Sequence, residues 1–330
     1  MVKRIIMKHN SFAKVASLSL IIFTLSFFTW FNFAKPNSHV AKAVNENYTI
    51  QTVDYITFDG SEYIDTGIDQ IGDTKVVADF QYDQAGLNQG YSQVFGARCG
   101  VDNTPTVCPV GSNDDAFIFG YQQSFGKFNA WYSTHGGANT ANAGGILTAD
   151  TARHTVTFDN NQVSIDGTLY WTSSQAAPMT ARMILLGGIP YFDPTTGTES
   201  LSVTDSYIGR IYSFQIYKGQ CSDSGFANQT DCETAGDTWS QVLVRNLVPA
   251  VKYSGCGANF TVEYGFIDQA NGDQWYGNAN VDSNGNPVGT LIGSPAISAP
   301  ACPTEPETPT EPTTPESPTP PAVLPPNTGV

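Results

Sequence analysis

The sequence predicts an all-β protein whose strands form a sandwich of two antiparallel sheets. About a dozen short runs rich in β-branched and aromatic residues are separated by turn-forming Gly, Asn and Asp. Strand patterns do not alternate with helical patterns, which argues against a parallel α/β sheet. The chain also lacks a repeat of about 20–50 residues, which argues against a propeller or a solenoid.

The strand pattern occupies residues 44–300. Its clearest hairpin joins 154–158 to 162–166 around Asn160-Asn161, which tolerate the positive φ of a tight turn. Period-two spacing places the apolar residues of each of these strands on one face. The other predicted strands cover 55–58, 63–67, 75–82, 93–98, 116–121, 127–132, 168–171, 182–186, 207–217, 242–248, 261–267 and 274–276.

The composition argues against several other classes of protein. Of the 330 residues, 40% are apolar, 12% are aromatic and 14% are charged, which fits neither a coiled coil nor wholesale disorder. A net charge of −15 argues against a nucleic-acid-binding protein, which needs basic side chains for the phosphates. The length allows one large all-β domain or two smaller ones.

Residues 1–43 have the features of a secretory signal peptide. They contain six basic residues and no acidic residue, and residues 18–34 form an apolar-rich stretch. Ala41-Lys42-Ala43 supplies a small–x–small cleavage pattern, so Val44 is the expected first residue of the mature chain. The alternative is an uncleaved signal anchor, because 17 residues is the lower limit of a membrane span. Cleavage leaves nine basic and 30 acidic residues, a net charge of −21.

Residues 301–330 are predicted to form a disordered, extended spacer. They contain ten prolines, seven threonines and four glutamates but no Lys or Arg, so they have no means of forming a core. The final residues, LPPNTGV, resemble the Leu-Pro-x-Thr-Gly signal that sortases cut between Thr and Gly in Gram-positive surface proteins. This resemblance implies attachment to the cell wall through Thr328, with cleavage before Gly329.

The C-terminal sequence departs from the sortase pattern in two ways. One extra residue separates Pro325 from Thr328, and the apolar stretch and basic tail of such signals do not follow. The segment is therefore either a truncated or variant anchor or a coincidence within a Pro/Thr-rich tail.

The order of the β-rich runs resembles the concanavalin A-like sandwich of LamG-like domains, which occur in bacterial and phage surface proteins. The resemblance lies in residues 55–67, 75–82, 94–98, 154–169, 184–188, 209–217, 243–249 and 266–279. It implies a jelly roll of two curved sheets that binds carbohydrate or protein through loops or a concave face. The segment 220–241 is longer than the hairpin expected there, so it is predicted to be an exposed insertion.

The six cysteines all follow the signal segment and are predicted to form structural disulfides in an exported chain. Fifteen connectivities are open for six cysteines. Proximity favours Cys99–Cys108 and Cys221–Cys232, which leaves Cys256–Cys302. A zinc site would need closely spaced Cys pairs, and the sequence has none.

Catalytic motifs are missing from the sequence. Glycoside hydrolases on this sandwich carry two or three carboxylates on one strand, and those at alternate positions face the same cleft. The glutamates of the predicted domain beyond its first residues have no such acidic neighbour; they are Glu62, Glu199, Glu233 and Glu263. The sequence therefore predicts a protein that is not an enzyme, with a glycoside hydrolase as the alternative.

Aromatic side chains are the leading candidates for a binding site, because sugar rings stack on Trp and Tyr. Trp131 and Tyr132, which precede a Gly/Asn-rich loop, are the first choice, although neighbours on a strand face opposite sides. Trp239 in the insertion is the second choice. His135 lies in the Gly-rich loop, where a solvated loop residue is the competing interpretation.

Clusters of Asp and Asn provide weak candidates for a calcium site, since calcium prefers several oxygen ligands. The candidates are Asp114, Asp115 and Asp282, and the competing interpretation is that these residues form turns. No other cofactor is expected.

Taken together, these patterns predict an exported, adhesin-like binding module at the cell surface. Its expected partner is a glycan or an extracellular protein, and its C-terminal end is expected to reach the cell wall. No nucleic-acid partner is expected. The alternatives are a glycoside hydrolase on the same fold and a structural surface protein without a specific ligand.

Overall fold

The structure, a computed structural model, describes residues 48–69, 73–99, 115–133, 146–173, 183–193, 198–201, 205–226, 229–280 and 288–302. Its strands form two antiparallel sheets and a separate two-stranded hairpin. The predicted all-β sandwich is therefore confirmed, and the arrangement is consistent with a jelly roll. In the described part of the chain, helix is limited to short segments, of which the longest is α1 (Gln229–Thr234).

The larger sheet has eleven strands, and eight of them follow the order β10-β9-β8-β4-β14-β15-β16-β17. In addition, β1 pairs with β15, while β2 pairs with β14 and β18. The strands are β1 (Thr49–Thr52), β2 (Tyr55–Asp59), β4 (Thr74–Tyr82), β8 (Arg153–Asp159), β9 (Gln162–Ile165), β10 (Thr168–Thr172), β14 (Ile208–Cys221), β15 (Trp239–Ser254), β16 (Thr261–Asp268), β17 (Gln274–Tyr276) and β18 (Ile292–Ser294).

The smaller sheet has five strands in the order β3-β11-β5-β6-β7. These are β3 (Ile64–Asp69), β5 (Tyr91–Cys99), β6 (Asp115–Gln122), β7 (Lys127–Ser133) and β11 (Met183–Leu186). A separate hairpin, β12 (Pro190–Asp193) and β13 (Thr198–Leu201), follows β11 in the chain.

The two sheets are joined by a core of aromatic side chains. Phe117 of the smaller sheet stacks on Phe158 of the larger sheet with ring centroids 4.3 Å apart. Phe95 meets Phe214 edge to face at 5.6 Å, and all four rings are fully buried. Burial of an apolar side chain of this size stabilises the fold by about 1.5–3 kcal/mol. The inward faces of both sheets are therefore used for the core, and the outward faces remain for other roles.

The hairpin predicted around residue 160 is confirmed. Val156 pairs with Ile165 and Phe158 with Val163, and all four side chains are buried. Asn160 has a φ of 53°, as a tight turn of this kind requires.

The predicted insertion lies between the long strands β14 and β15, which pair from Phe214 and Leu247 to Cys221 and Trp239. A disulfide joins Cys221 to Cys232 of α1 and closes the insertion. Such a crosslink contributes about 2–4 kcal/mol by restricting the unfolded chain.

A second disulfide joins Cys256, just after β15, to Cys302 at the end of the described chain. Two of the three predicted pairings are thus confirmed, and the third lies outside the described residues, because it needs Cys108. Disulfides of this kind form and persist in oxidising compartments. In the described part of the chain, no helix has the length and apolarity to span a membrane; the segments 1–43 and 303–330 lie outside it.

Candidate functional site

The outward side of the smaller sheet carries a cluster of polar and aromatic side chains. The pairing of β5, β6 and β7 sets them in three rows across the strands. The rows are Tyr91–Gln122–Lys127, Gln93–Gly120–Asn129 and Gly96–Ile118–Trp131. We call this surface the amide face, defined by Tyr91, Gln93, Gln122, Asn129 and Trp131.

A chain of hydrogen bonds runs along the amide face. Nδ2 of Asn129 donates to Oε1 of Gln122 at 2.6 Å, and Nε2 of Gln122 donates to the hydroxyl of Tyr91 at 3.1 Å. Only 3% of Asn129 and 8% of Gln122 are exposed, although both side chains point away from the core. Gln93, in the next row, is also buried. These amides are therefore held in place rather than solvated.

One polar atom of the amide face has no hydrogen-bond partner. Oδ1 of Asn129 is buried and unpaired. An unsatisfied buried polar atom costs about 1–3 kcal/mol, and native proteins contain few of them. The packing of the amide face therefore leaves one buried carbonyl oxygen unsatisfied.

The third row of the amide face is apolar. Trp131 is half-buried and packs with Ala116, Ile118 and Ile189 in a small cluster separate from the main core. Its ring centroid lies 6.0 Å from that of Tyr91. The face thus places a half-buried aromatic ring beside buried amides.

Two glycines allow this close packing. A Cβ at Gly96 would lie 2.4 Å from Cγ2 of Ile189, and a Cβ at Gly120 would lie 2.2 Å from Oε1 of Gln93. Both distances are shorter than any van der Waals contact. Gly120 therefore lets the Gln93 side chain lie across β6, and Gly96 lets Ile189 reach the sheet.

The amide face has little charge. Of the side chains that the structure describes in its three rows, only Lys127 carries a charge at neutral pH. The face is therefore suited to a neutral, hydrogen-bonding ligand.

The structure separates the two residues of the first-choice pair. Trp131 faces outward, whereas Tyr132 points into the core, where it is 1% exposed and packs against Phe117 and Phe158. Its hydroxyl donates to Oδ1 of Asn160 at 2.5 Å, and burial raises its pKa. The proposed ligand contact of Tyr132 is thus corrected: the ring is a core residue because its faces are covered by other aromatic rings.

Trp239 lies on the other sheet and does not approach the amide face. Its indole N–H donates to Oδ2 of Asp73 at 2.7 Å, and its ring covers Gly219, where a Cβ would lie 2.3 Å from Cζ2. These contacts fix the start of β15 against the segment before β4. In this structure Trp239 anchors the insertion.

The remaining predicted site residues lie where the structure gives no side-chain information. His135, Asp114, Asp282, Thr328 and Gly329 lie outside the described residues. Asp115 begins β6 and Cys99 ends β5, but their side chains are outside the described part. Among the described residues, no group of three or more His, Cys, Asp or Glu side chains is arranged to hold a metal.

The described acidic side chains do not pair on the amide face. Glu62 is fully buried and accepts the backbone N–H groups of Asp59 at 2.9 Å and Thr290 at 2.7 Å; burial raises its pKa. Glu263 lies on the larger sheet, where it binds Lys252 and the indole N–H of Trp275. Both carboxylates therefore have structural partners.

His154 also has a structural role. Its Nδ1 lies 2.7 Å from Oδ2 of Asp166 and its Nε2 lies 3.0 Å from Oδ1 of Asp150. The ring packs against Phe80 and Phe128. Burial opposes protonation, but the hydrogen bonds and charges of the two carboxylates outweigh it, so the pKa of His154 is raised.

Sequence reasoning missed the polar half of the site. The residues that it did not single out are Tyr91, Gln93, Gln122 and Asn129. A partial signal was present, because period two along 127–132 places Lys127, Asn129 and Trp131 on one side of the strand. Comparisons with protein families and with curated proteins give no match for the chain. The resemblance to LamG-like domains therefore stays a prediction.

Proposed function

We propose that the protein is an exported binding module that holds a carbohydrate on the amide face. One observation carries this proposal: the ring of Trp131 is only half-buried on the outward side of the smaller sheet, beside the hydrogen-bonded side chains of Asn129, Gln122 and Tyr91. Trp131 would stack on the sugar ring, and the hydroxyl of the half-buried Tyr91 would bind one of its polar substituents. The ligand would extend the hydrogen-bond chain that runs from Asn129 through Gln122 to Tyr91.

Export and surface display belong to the same proposal. The signal-like residues 1–43 and the two described disulfides support secretion into an oxidising compartment. The predicted spacer at 301–330 contains Cys302, which is joined by a disulfide to Cys256 just after β15. A tether in this position would hold the sandwich away from the cell. N-terminal sequencing of the secreted protein tests the first step, and a first residue other than one near Val44 would contradict it.

The binding proposal is tested by probing a glycan array with the secreted chain. We expect binding to at least one class of glycan, and we expect Trp131→Ala to weaken it by at least tenfold. Trp275→Ala is the matched control, because Trp275 lies on the outward side of the larger sheet, hydrogen-bonded to Glu263. Equal losses in both variants, or no loss in either, would contradict the assigned site.

The same secreted chain can be used to distinguish the proposed binding module from a glycoside hydrolase and from a protein-binding module. Release of reducing ends from a bound polysaccharide would show a glycoside hydrolase, and the proposal of a protein that binds without catalysis would then be wrong. A chain that binds no glycan but captures a purified extracellular protein through Trp131 would identify a protein ligand instead.

A further inference from the structure

The last described residues lie along the sandwich between the core and the predicted spacer. We call residues 288–302 the C-terminal strap. It contains β18, which is three residues long and pairs with β2. Leu291 is buried in the core, and the N–H of Thr290 donates to Oε1 of Glu62 at 2.7 Å. The strap is therefore the part of the domain that tension on the spacer would reach first.

Beyond β18 the C-terminal strap makes only scattered contacts among the described residues. The N–H of Ile297 donates to the hydroxyl of Tyr264 at 3.1 Å, and the side chain of Ile297 is half-buried against the core. The backbone oxygen of Pro300 accepts the N–H of Gly257 at 3.1 Å. Each such hydrogen bond contributes about 0.5–1.5 kcal/mol net. Tension that entered the strap at its exposed end would break these contacts one after another.

The disulfide between Cys256 and Cys302 gives the tension a different route. Cys256 lies in the loop between β15 and β16, and these strands pair over eight residue pairs. The strand β15 also pairs with β14 and β1. Hydrogen bonds of an antiparallel ladder are perpendicular to the strands. A pull along the strands from this loop therefore loads many of these bonds together rather than in turn.

The backbone next to Cys256 is shaped to receive the end of the strap. Gly257 has a φ of 53°, a left-handed conformation that favours glycine. A Cβ at Gly257 would lie 3.2 Å from Sγ of Cys302. Glycine at this position therefore lets Cys302 and Pro300 lie directly against the loop between β15 and β16.

We propose that the Cys256–Cys302 disulfide is a mechanical latch, which transmits tension on the spacer to β15 and β16 and keeps it off the C-terminal strap. The latch acts when a ligand held by the sandwich and an anchored spacer pull in opposite directions. Its role in the cell therefore rests on the proposed surface display, whereas the mechanical property does not depend on the identity of the ligand.

Single-molecule pulling of the secreted chain tests the latch. One handle is coupled to an azide-bearing amino acid in place of Ser124, which is exposed between β6 and β7, and the other to the C-terminal end. In the parent chain we expect no extension step before the sandwich unfolds. In Cys256→Ala/Cys302→Ala we expect an earlier step at lower force. Its length should be at most about 50 Å, because residues 288–302 extend by about 3.3–3.6 Å each.

Two further changes separate the latch from general stabilisation by a disulfide. Cys221→Ala/Cys232→Ala also removes a stabilising crosslink, but it leaves the latch in place, so it should show no early step. Tyr264→Phe removes the hydroxyl that accepts the N–H of Ile297. It should lower the force of the early step in the chain without the latch, and it should produce no early step in the parent chain.

Folding of each variant is checked by its melting temperature. If Cys256→Ala/Cys302→Ala does not fold, the folded Cys221→Ala/Cys232→Ala chain is held under tension while a thiol reductant is added, and the early step should then appear before the sandwich unfolds. Traces that are identical with and without the latch would overturn the proposal, because the strap would then bear the tension by its own contacts. An early step in the parent chain would overturn it as well. Neither result depends on glycan binding, so failure of the latch is distinguishable from failure of the proposed function.

Discussion

The outward faces of the two sheets both carry polar side chains, but these side chains differ in burial and in hydrogen bonding. On the larger sheet, Arg153 donates two hydrogen bonds to Asp79, and its guanidinium lies 3.8 Å from the centroid of Tyr212. The Tyr212 hydroxyl donates to Gln81 at 2.6 Å, and the side chain of Arg153 is 55% exposed. We call this surface, defined by Asp79, Gln81, Arg153 and Tyr212, the arginine face.

The two faces differ in how their polar groups are satisfied. On the arginine face, each group described above has a partner within the face and also meets water. On the amide face the amides of Gln93, Gln122 and Asn129 are buried, and Oδ1 of Asn129 has no partner. A protein gains solubility from the first arrangement, whereas the second arrangement costs stability. The comparison is consistent with the proposal that the smaller sheet, rather than the larger one, holds the ligand.

The largest effect on stability is expected where the amide face is most closely packed. In Gly120→Val, the new Cβ would lie 2.5 Å from the backbone oxygen of Ser92 as well as against Gln93. Overpacking of this kind costs about 1–3 kcal/mol, which lowers the melting temperature by about 2–4 °C for each kcal/mol. Thr157→Val, on the outward side of β8, is the control and should change stability by less than about 0.5 kcal/mol. Equal melting temperatures for the two variants would show that the amide face is as open as the arginine face.

A second variant should separate stability from binding. Asn129→Leu/Gln122→Met replaces both members of the 2.6 Å hydrogen bond and removes the unpaired atom. We expect the free energy of unfolding to stay within about 1 kcal/mol of the parent, because both partners are replaced together. Glycan binding should be lost. Denaturant unfolding and glycan titration are measured on the same sample. A variant that still binds the glycan would contradict the proposed site on the amide face.

The architecture follows largely from local sequence patterns. Alternation of apolar and polar residues in β8 and β9 specifies which side is buried, and Asn160 marks the turn between them. Strand length follows from pairing with neighbours rather than from propensity alone. This is why β15 extends well beyond the predicted 242–248, and why the short edge strands β1 and β18 were not predicted.

The candidate site was harder to predict from the sequence than the architecture, because it depends on the register in which the strands pair. Trp131 was identified from its chemistry, and Asn129 shares its side of β7 by simple alternation. Gln93 and Gln122 join them only because β5 and β6 pair so that Gln93 lies opposite Gly120 and Tyr91 opposite Gln122. A β-bulge between Gln93 and Phe95 shifts that register. The residue types at these two positions do not predict a bulge.

A pH series should distinguish binding from stability in a different way. The pKa of His154 is raised in the folded state, so its contribution to stability is complete below about pH 6.5, the ordinary value, and is lost as the pH rises through the folded-state pKa. We expect melting temperature to fall over this range relative to His154→Gln. Glycan affinity should stay constant from about pH 5.5 to 7.5, because the three rows of the amide face contain no His, Asp or Glu side chain. A glycan affinity that changes over the same pH range as the His154-dependent stability would show that the amide face is coupled to His154.

The smallest effect is expected from the ion pair of the arginine face. Arg153 and Asp79 form a two-pronged contact, but the arginine side chain is 55% exposed, so water and salt screen the attraction. A double-mutant cycle of Arg153→Ala and Asp79→Ala should give a coupling free energy of about 0.2–1 kcal/mol at low salt. It should decrease further at about 1 M salt, where the screening length is about 3 Å. Glycan affinity should not change in either variant. A coupling above about 2 kcal/mol that persists in high salt would mean that this face is desolvated as well, and solvent exposure would then no longer distinguish the two surfaces.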